Sequence, residues 1–328
     1  VTEISAEERA GHRDGLDAPS RALVAAIGEI LAEPDAAGTD PMTAARQRAS
    51  RVFETFSGEA GGPPGEPVRI AGGRGDLPAR LYGRQRGRAQ PLTVFFHGGG
   101  WALGSLDDYD AFLGALAEEA GMPILSVAYR LAPEHPFPAP LEDALAAARD
   151  AAASAERFGG VPGQILLMGD SAGGNLAAAA AQLLRADGDV AVLAQILLYP
   201  MLDVSRPHEA YGSRLDFGSG RHFLTREAVD GAVQGYLSAG GDPSDPRVSP
   251  LLREDLSGLP PTYIMVGACD PLRDEAVAYA ERLRRAGIPL TLDVIEGAIH
   301  AFLSFGVLDQ ARSGRTLLAR FMRRVLIE

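Results

Sequence analysis

Among the 328 residues of this chain there is no lysine; all 31 basic residues are arginine. That excludes every mechanism built on a side-chain amine: a P-loop lysine, a pyridoxal-phosphate Schiff base, a Ser-x-x-Lys hydrolase. Cysteine is almost as scarce. The single Cys269 permits neither an intrachain disulfide nor a cysteine zinc site. No His-Glu-x-x-His, His-x-His or Cys pair occurs, so no metal is expected. Asn175, the only asparagine, is followed by Leu176-Ala177 and makes no glycosylation sequon. Long apolar runs are missing too: the longest, Leu176 to Leu184, is mostly alanine and too short for a bilayer. Val1-Thr2-Glu3-Ile4-Ser5 lacks the basic-then-apolar pattern of a signal peptide, and the expected location is cytoplasmic. A formal charge of −12 argues against nucleic acid as a partner, because phosphates call for a basic surface.

What is present is an apolar content of 46%, ordinary for a globular chain of one large core or two modest ones. Residues 16–56 read as helical, with Leu23, Val24, Ile27, Ile30 and Leu31 at helical spacing and a second helix after Asp40-Pro41. The Gly/Pro stretch from Gly58 to Pro67 marks a boundary. Strand-like runs follow at Val68–Ile70, Ala79–Tyr82 and Leu92–Phe96. Arg74-Gly75-Asp76, an adhesion-type tripeptide, is better explained as part of the hairpin turn between the first two. Strands then alternate with helices: Ile124–Ala128, Leu141–Arg157, Ile165–Met168, Ser171–Ala186, Ala191–Tyr199, Thr262–Val266, Leu272–Ala286, Leu290–Ile295 and Gln310–Val325. Apolar strands alternating with helices predict an α/β protein whose parallel sheet is covered on both faces. Residues 203–250 interrupt the rhythm. They read as an insertion folding over the sheet edge with residues 1–56, and residues 1–15 read as a lead into it.

Chemistry enters at Gly169-Asp170-Ser171-Ala172-Gly173. The run lies between a strand and a helix, where a nucleophile elbow places its serine. The turn is tight, so small residues are needed two before and two after Ser171, and Gly174 lets the helix approach the sheet. Upstream, His97-Gly98-Gly99-Gly100-Trp101 follows a strand and exposes main-chain N–H groups. Gly98 and Gly99, with Ala172, are the expected oxyanion donors. A phosphate-binding loop is disfavoured, lacking its Lys and Ser/Thr. His97 reads as a loop anchor. Trp101 reads either as a pocket wall or as loop packing, and Asp170 is assigned to the substrate pocket.

A serine needs a base and an orienting acid, in the chain order Ser, acid, His. Three histidines lie downstream: His208, His222 and His300. The first two fall in the insertion, whereas His300 follows the last strand, at the ligand-binding edge of an open sheet. Asp270 ends the preceding strand and is the expected acid, with Glu296 the alternative. Asp274 and Glu275 read as helix N-terminal charges. Glu134 and Asp143 could be taken for paired acid–base carboxylates, but network roles are expected.

These motifs, with Tyr129-Arg130-Leu131-Ala132-Pro133-Glu134-His135-Pro136-Phe137-Pro138-Ala139, Tyr199-Pro200, Asp270-Pro271-Leu272-Arg273-Asp274-Glu275 and His300-Ala301-Phe302, resemble the hormone-sensitive-lipase-like esterases, bacterial family IV. The resemblance runs from about residue 16 to the C-terminus. It implies an α/β-hydrolase fold: an eight-stranded, mostly parallel sheet in residues 57–202 and 251–328, with a helical cap from residues 1–56 and 203–250. It also implies cofactor-free hydrolysis of short- to medium-chain carboxylic esters, and is compatible with a homodimer formed through the last strand. The rival expectations are deacetylation of an N- or O-acetylated metabolite, and a non-catalytic receptor on the same fold. Retention of His300 argues against the receptor.

Overall fold

The computed structural model describes residues 15–58, 61–84 and 90–325. The N-terminal lead therefore lies, but for Gly15, outside the described residues. Eight strands form one sheet: β1 (Glu66–Gly72), β2 (Gly75–Tyr82), β3 (Gln90–Phe96), β4 (Ile124–Val127), β5 (Gly160–Asp170), β6 (Val192–Leu198), β7 (Thr262–Gly267) and β8 (Leu290–Ile295). Their order is β1-β2-β4-β3-β5-β6-β7-β8. The β1/β2 and β2/β4 pairs are antiparallel and the rest parallel. β1 and β2 close through the two-residue turn Gly73-Arg74, with Gly72 opposite Gly75. Gly75 has φ +124°, a conformation open to glycine, so the Arg-Gly-Asp tripeptide is hairpin geometry.

The sequence of each strand follows from its place. Every residue of β3, β4 and β7 is buried, which is why these runs carry almost no polar alternation. Each buried Leu, Val or Phe side chain contributes about 1.5–3 kcal/mol. β8, at one end of the sheet, is only partly buried. The helices are α1 (Ala18–Leu31), α2 (Pro41–Phe56), α3 (Asp110–Ala120), α4 (Ala139–Ala153), α5 (Ala172–Asp187), α6 (Gly212–Phe217), α7 (Arg226–Tyr236), α8 (Arg273–Arg285) and α9 (Asp309–Arg324). Asp17 and Asp40 cap α1 and α2 by accepting backbone N–H bonds, and Pro41 opens α2 where no donor is lost. Helix α5 is buried along nearly its whole length, and its run Ala177–Ala181 lets it lie close against the sheet.

Topology decides where a site can form. From β3 the chain moves outward to β4, then crosses back to β5 on the other side of β3. The loops leaving β3 and β5 therefore diverge at a topological switch point, where open α/β sheets form their ligand crevices. No helix among the described residues is long and apolar enough to cross a membrane.

Candidate active site

The turn from β5 into α5 is strained where the sequence predicts it. Ser171 sits at the helix N-cap with φ 53° and ψ −117°. A Cβ on Gly169 would lie 2.1 Å from the Gly173 carbonyl oxygen, and one on Gly173 would lie 1.9 Å from that of Phe96. Only glycine fits either place. The Ser171 N–H donates to the Leu198 carbonyl at 2.9 Å, and its own carbonyl accepts from Met201 at 3.1 Å, tying the elbow to β6 and the segment after it.

His300 meets this serine from the loop after β8. Its Nε2 stands 2.9 Å from Ser171 Oγ and its Nδ1 2.8 Å from Asp270 Oδ2. A carboxylate can only accept, so the proton belongs on Nδ1 and Nε2 is left to accept from the serine hydroxyl. Asp270 is fully buried, and its other oxygen accepts the Leu272 N–H at 2.8 Å. Tyr199 presents ring edge to face against His300, 5.1 Å between centroids. The alternative acid, Glu296, is exposed and makes no bond to His300. Thus three residues far apart in sequence form one line of hydrogen bonds at the C-terminal ends of β5, β7 and β8.

The glycine-rich loop after β3 differs from expectation in one respect. The Gly98 N–H is not open to a ligand, because it donates to Asp170 Oδ1 at 2.6 Å and to the Tyr109 hydroxyl at 3.1 Å. The amides of Gly99, Gly100 and Ala172 make no hydrogen bond within the described residues. Gly99 and Gly100 both have positive φ, 103° and 60°, so the second and third of the three glycines are required by the backbone path. Asp170, expected in the substrate pocket, is 1% exposed and turned toward this loop. Burial pushes its carboxyl up to about 7.

Trp101 is fully buried, stacked face to face on Tyr236 of α7. The geometry thus agrees with packing of the loop. Ala232 of the same helix covers Gly100, where an added Cβ would come within 2.7 Å of it. His97 anchors the loop from below: its Nδ1 is 2.9 Å from the Gly98 carbonyl and its ring stacks on Tyr129 at 4.5 Å. Burial lowers its pKa to about 4, so it stays neutral.

Several polar contacts join separate segments around the crevice. Arg46 of α2 donates to the carbonyls of Ala102 and Ala132 and forms a two-pronged pair with Glu134, at 2.7 and 2.8 Å. Asp143 accepts from Arg130 and from the Gly73 N–H at 2.7 Å. Neither carboxylate is an acid–base partner for the other. Asp274 and Glu275 do lie in the first turn of α8, yet both also reach into residues 202–214. Asp274 accepts the Ser213 N–H at 2.8 Å, while Glu275, fully buried, accepts from the Leu202 N–H at 2.7 Å and pairs with Arg214. The sequence carried no local signal for that buried pair, since its members are 61 residues apart.

Residues 93–304 match the model of a family described as alpha/beta hydrolase fold. The chain belongs to that α/β-hydrolase family. Within it, the chain is 40% identical over 294 residues to the carboxylic ester hydrolase LipN of Mycobacterium tuberculosis, covering 87% of this chain and 77% of that protein. It is 35% identical over 291 residues to the ethyl acetate hydrolase of Pseudomonas putida, covering 85% and 90% respectively. The esterase structure from Pyrobaculum calidifontis superposes with a TM-score of 0.86 at 32% identity, covering 95% of this chain and all of that one.

Proposed function

We propose that this carboxylic ester hydrolase works through an acyl-enzyme on Ser171. The observation that carries the reading is the line Ser171–His300–Asp270, with bonds of 2.9 and 2.8 Å. His300 takes the Ser171 proton as Oγ attacks the ester carbonyl, and Asp270 holds the imidazole tautomer and stabilises the imidazolium that forms. The amides of Gly99, Gly100 and Ala172 receive the oxyanion, helped by partial positive charge at the start of α5. The tetrahedral intermediate collapses as His300 returns its proton to the leaving alcohol. Water then attacks the acyl-serine by the same sequence and releases the acid. No cofactor enters any step.

Of the expected cap, residues 1–56 and 203–250, the described part, 15–56 and 203–250, is assigned to a place over this crevice. Support comes from Arg46 of α2 and from Ala232 and Tyr236 of α7, which bear directly on the loops after β3 and β4. Membership of the hormone-sensitive-lipase-like group is supported by the motif series ending in His300-Ala301-Phe302. A preference for short- to medium-chain esters is supported by the likeness to the ethyl acetate hydrolase.

The test is Ser171→Ala assayed with p-nitrophenyl butyrate. Loss of a nucleophile that works with its base as a unit costs about 10⁴-fold or more in turnover. A purified S171A protein retaining a tenth of wild-type turnover would rule the mechanism out.

A further inference from the structure

The nucleophile is preceded by a carboxyl that the mechanism above leaves without a role. Asp170 forms no ion pair among the described residues and is 1% exposed. Its two oxygens are committed: Oδ1 accepts the Gly98 N–H at 2.6 Å, and Oδ2 accepts the Tyr109 hydroxyl at 3.1 Å. Tyr109 closes a triangle by accepting from Gly98 as well, at 3.1 Å. The fit leaves no slack. A Cβ at position 98 would stand 2.6 Å from Asp170 Oδ2 and 3.0 Å from its carbonyl oxygen.

An oxyanion site made of Gly99, Gly100 and Ala172 has two halves on separate stretches of chain. One half rides on the loop after β3, the other on the elbow. Donors of this kind work only when held at about 2.7–3.1 Å from where the charge will develop, so something must fix the separation of the halves. Asp170 is joined through Ser171 to Ala172 on one side and is bonded to Gly98, the neighbour of Gly99, on the other.

We propose that Asp170 is a positioning residue of the ester hydrolase: by holding the Gly98 amide it sets the spacing and orientation of the oxyanion donors. It touches no reacting atom. Occupying the Gly98 N–H also fixes the direction of the peptide planes that follow, through two glycines at positive φ that would otherwise be free to turn. Accepting a bond from Gly98 is what matters, and Oδ1 accepts whether or not Oδ2 carries a proton. The inference rests on the acyl-enzyme reading.

The experiment compares D170A, D170N and Y109F with the wild type, using p-nitrophenyl acetate kinetics and the rate of labelling by a fluorophosphonate. The phosphonylation transition state needs the same donors, so both readouts report the oxyanion site. D170A should lose about 10²-fold in kcat, the scale of one mispositioned donor, with KM within about threefold. Its labelling rate should fall by a similar factor. D170N keeps an acceptor of nearly the same shape without the charge, and should stay within about fivefold of wild type. Y109F removes one of the two acceptors and should fall between them. A folded D170A with kcat within threefold of wild type would overturn the proposal. So would a folded D170N as impaired as a hundredfold, which decides the matter even where D170A does not fold. If the wild type itself neither hydrolyses the ester nor labels at Ser171, the acyl-enzyme reading fails first, and the role of Asp170 falls with it.

Discussion

Tyr236 lies flat on Trp101, ring centroids 4.1 Å apart and planes within 5° of parallel. One ring belongs to helix α7 and the other ends the glycine-rich loop, so the stack joins that helix to the loop. Truncating a buried aromatic costs about 3–5 kcal/mol. Y236A should lose stability on that scale, and Y236F far less because Tyr236 Oη has no hydrogen-bond partner among the described residues. Trp101 is the only tryptophan in the chain, which makes its emission a direct monitor. Water reaching the indole in Y236A should shift the emission to longer wavelength. Unchanged emission in a folded Y236A would show that the stack does not shield the ring.

Glycine substitutions should divide sharply by location. G173A drives a methyl into the backbone oxygen of Phe96, and no flexible side chain is there to yield. The expected outcome is loss of soluble protein, or destabilisation of more than about 3 kcal/mol. Gly231 lies exposed in the middle of α7 with nothing near its missing Cβ. G231A should therefore raise stability by up to about 1 kcal/mol through helix propensity alone. Chemical denaturation of the two variants checks both.

The Glu275–Arg214 pair should behave as a buried charge pair does. Removing one partner strands the other, and E275A is expected to cost about 3–5 kcal/mol. Replacing both with methionine (E275M/R214M) should recover much of that loss, because apolar groups of similar volume need no compensation. A double variant as unstable as E275A would point instead to the Leu202 N–H, which also bonds to Glu275.

Burial of Asp170 has a consequence for stability against pH. In the unfolded chain its carboxyl ionises near 3.8, whereas in the fold it keeps its proton up to about 7. Between those values the folded state binds more protons, so this contribution is full below about pH 4 and is lost as pH rises toward 7. D170N cannot ionise, so its stability relative to wild type should improve steadily from pH 4 to 7 and then level off. His97 acts in the opposite direction: its pKa falls from 6.5 to about 4, and its contribution is lost as pH drops through that range. Because His97 is common to both proteins, the difference between them isolates Asp170. Urea midpoints across pH 4–8 that run parallel would refute the assignment.

Local patterns made much of this fold legible. β8 begins after Pro289 and ends before Gly297, and the apolar run between them defines it. The elbow was readable because its glycines are demanded within five residues. Helix α3, by contrast, has no legible signal in the sequence. Its only large apolar residues are Phe112, Leu113 and Leu116, spread among Ala and Gly, and tertiary packing rather than a polar–apolar stripe holds it. The line from Ser171 through His300 to Asp270 is legible from order along the chain, which follows from strand order. The commitment of the Gly98 amide could not be inferred that way. It depends on a carboxyl 72 residues away turning inward rather than toward solvent, and nothing in either local stretch dictates which. Trp101 was ambiguous for the same reason, since its covering ring comes from a helix in the insertion.

The grip of Arg46 on Glu134, Ala102 and Ala132 sets a rule for exchanging parts between enzymes of this fold. Two of its acceptors are backbone carbonyls, which any recipient supplies, but the third is a single side chain on the receiving body. A transplanted N-terminal segment would therefore seat in register only in a host carrying a carboxylate at the place of Glu134. In a chimera lacking it, restoring that one glutamate would be the first repair to make.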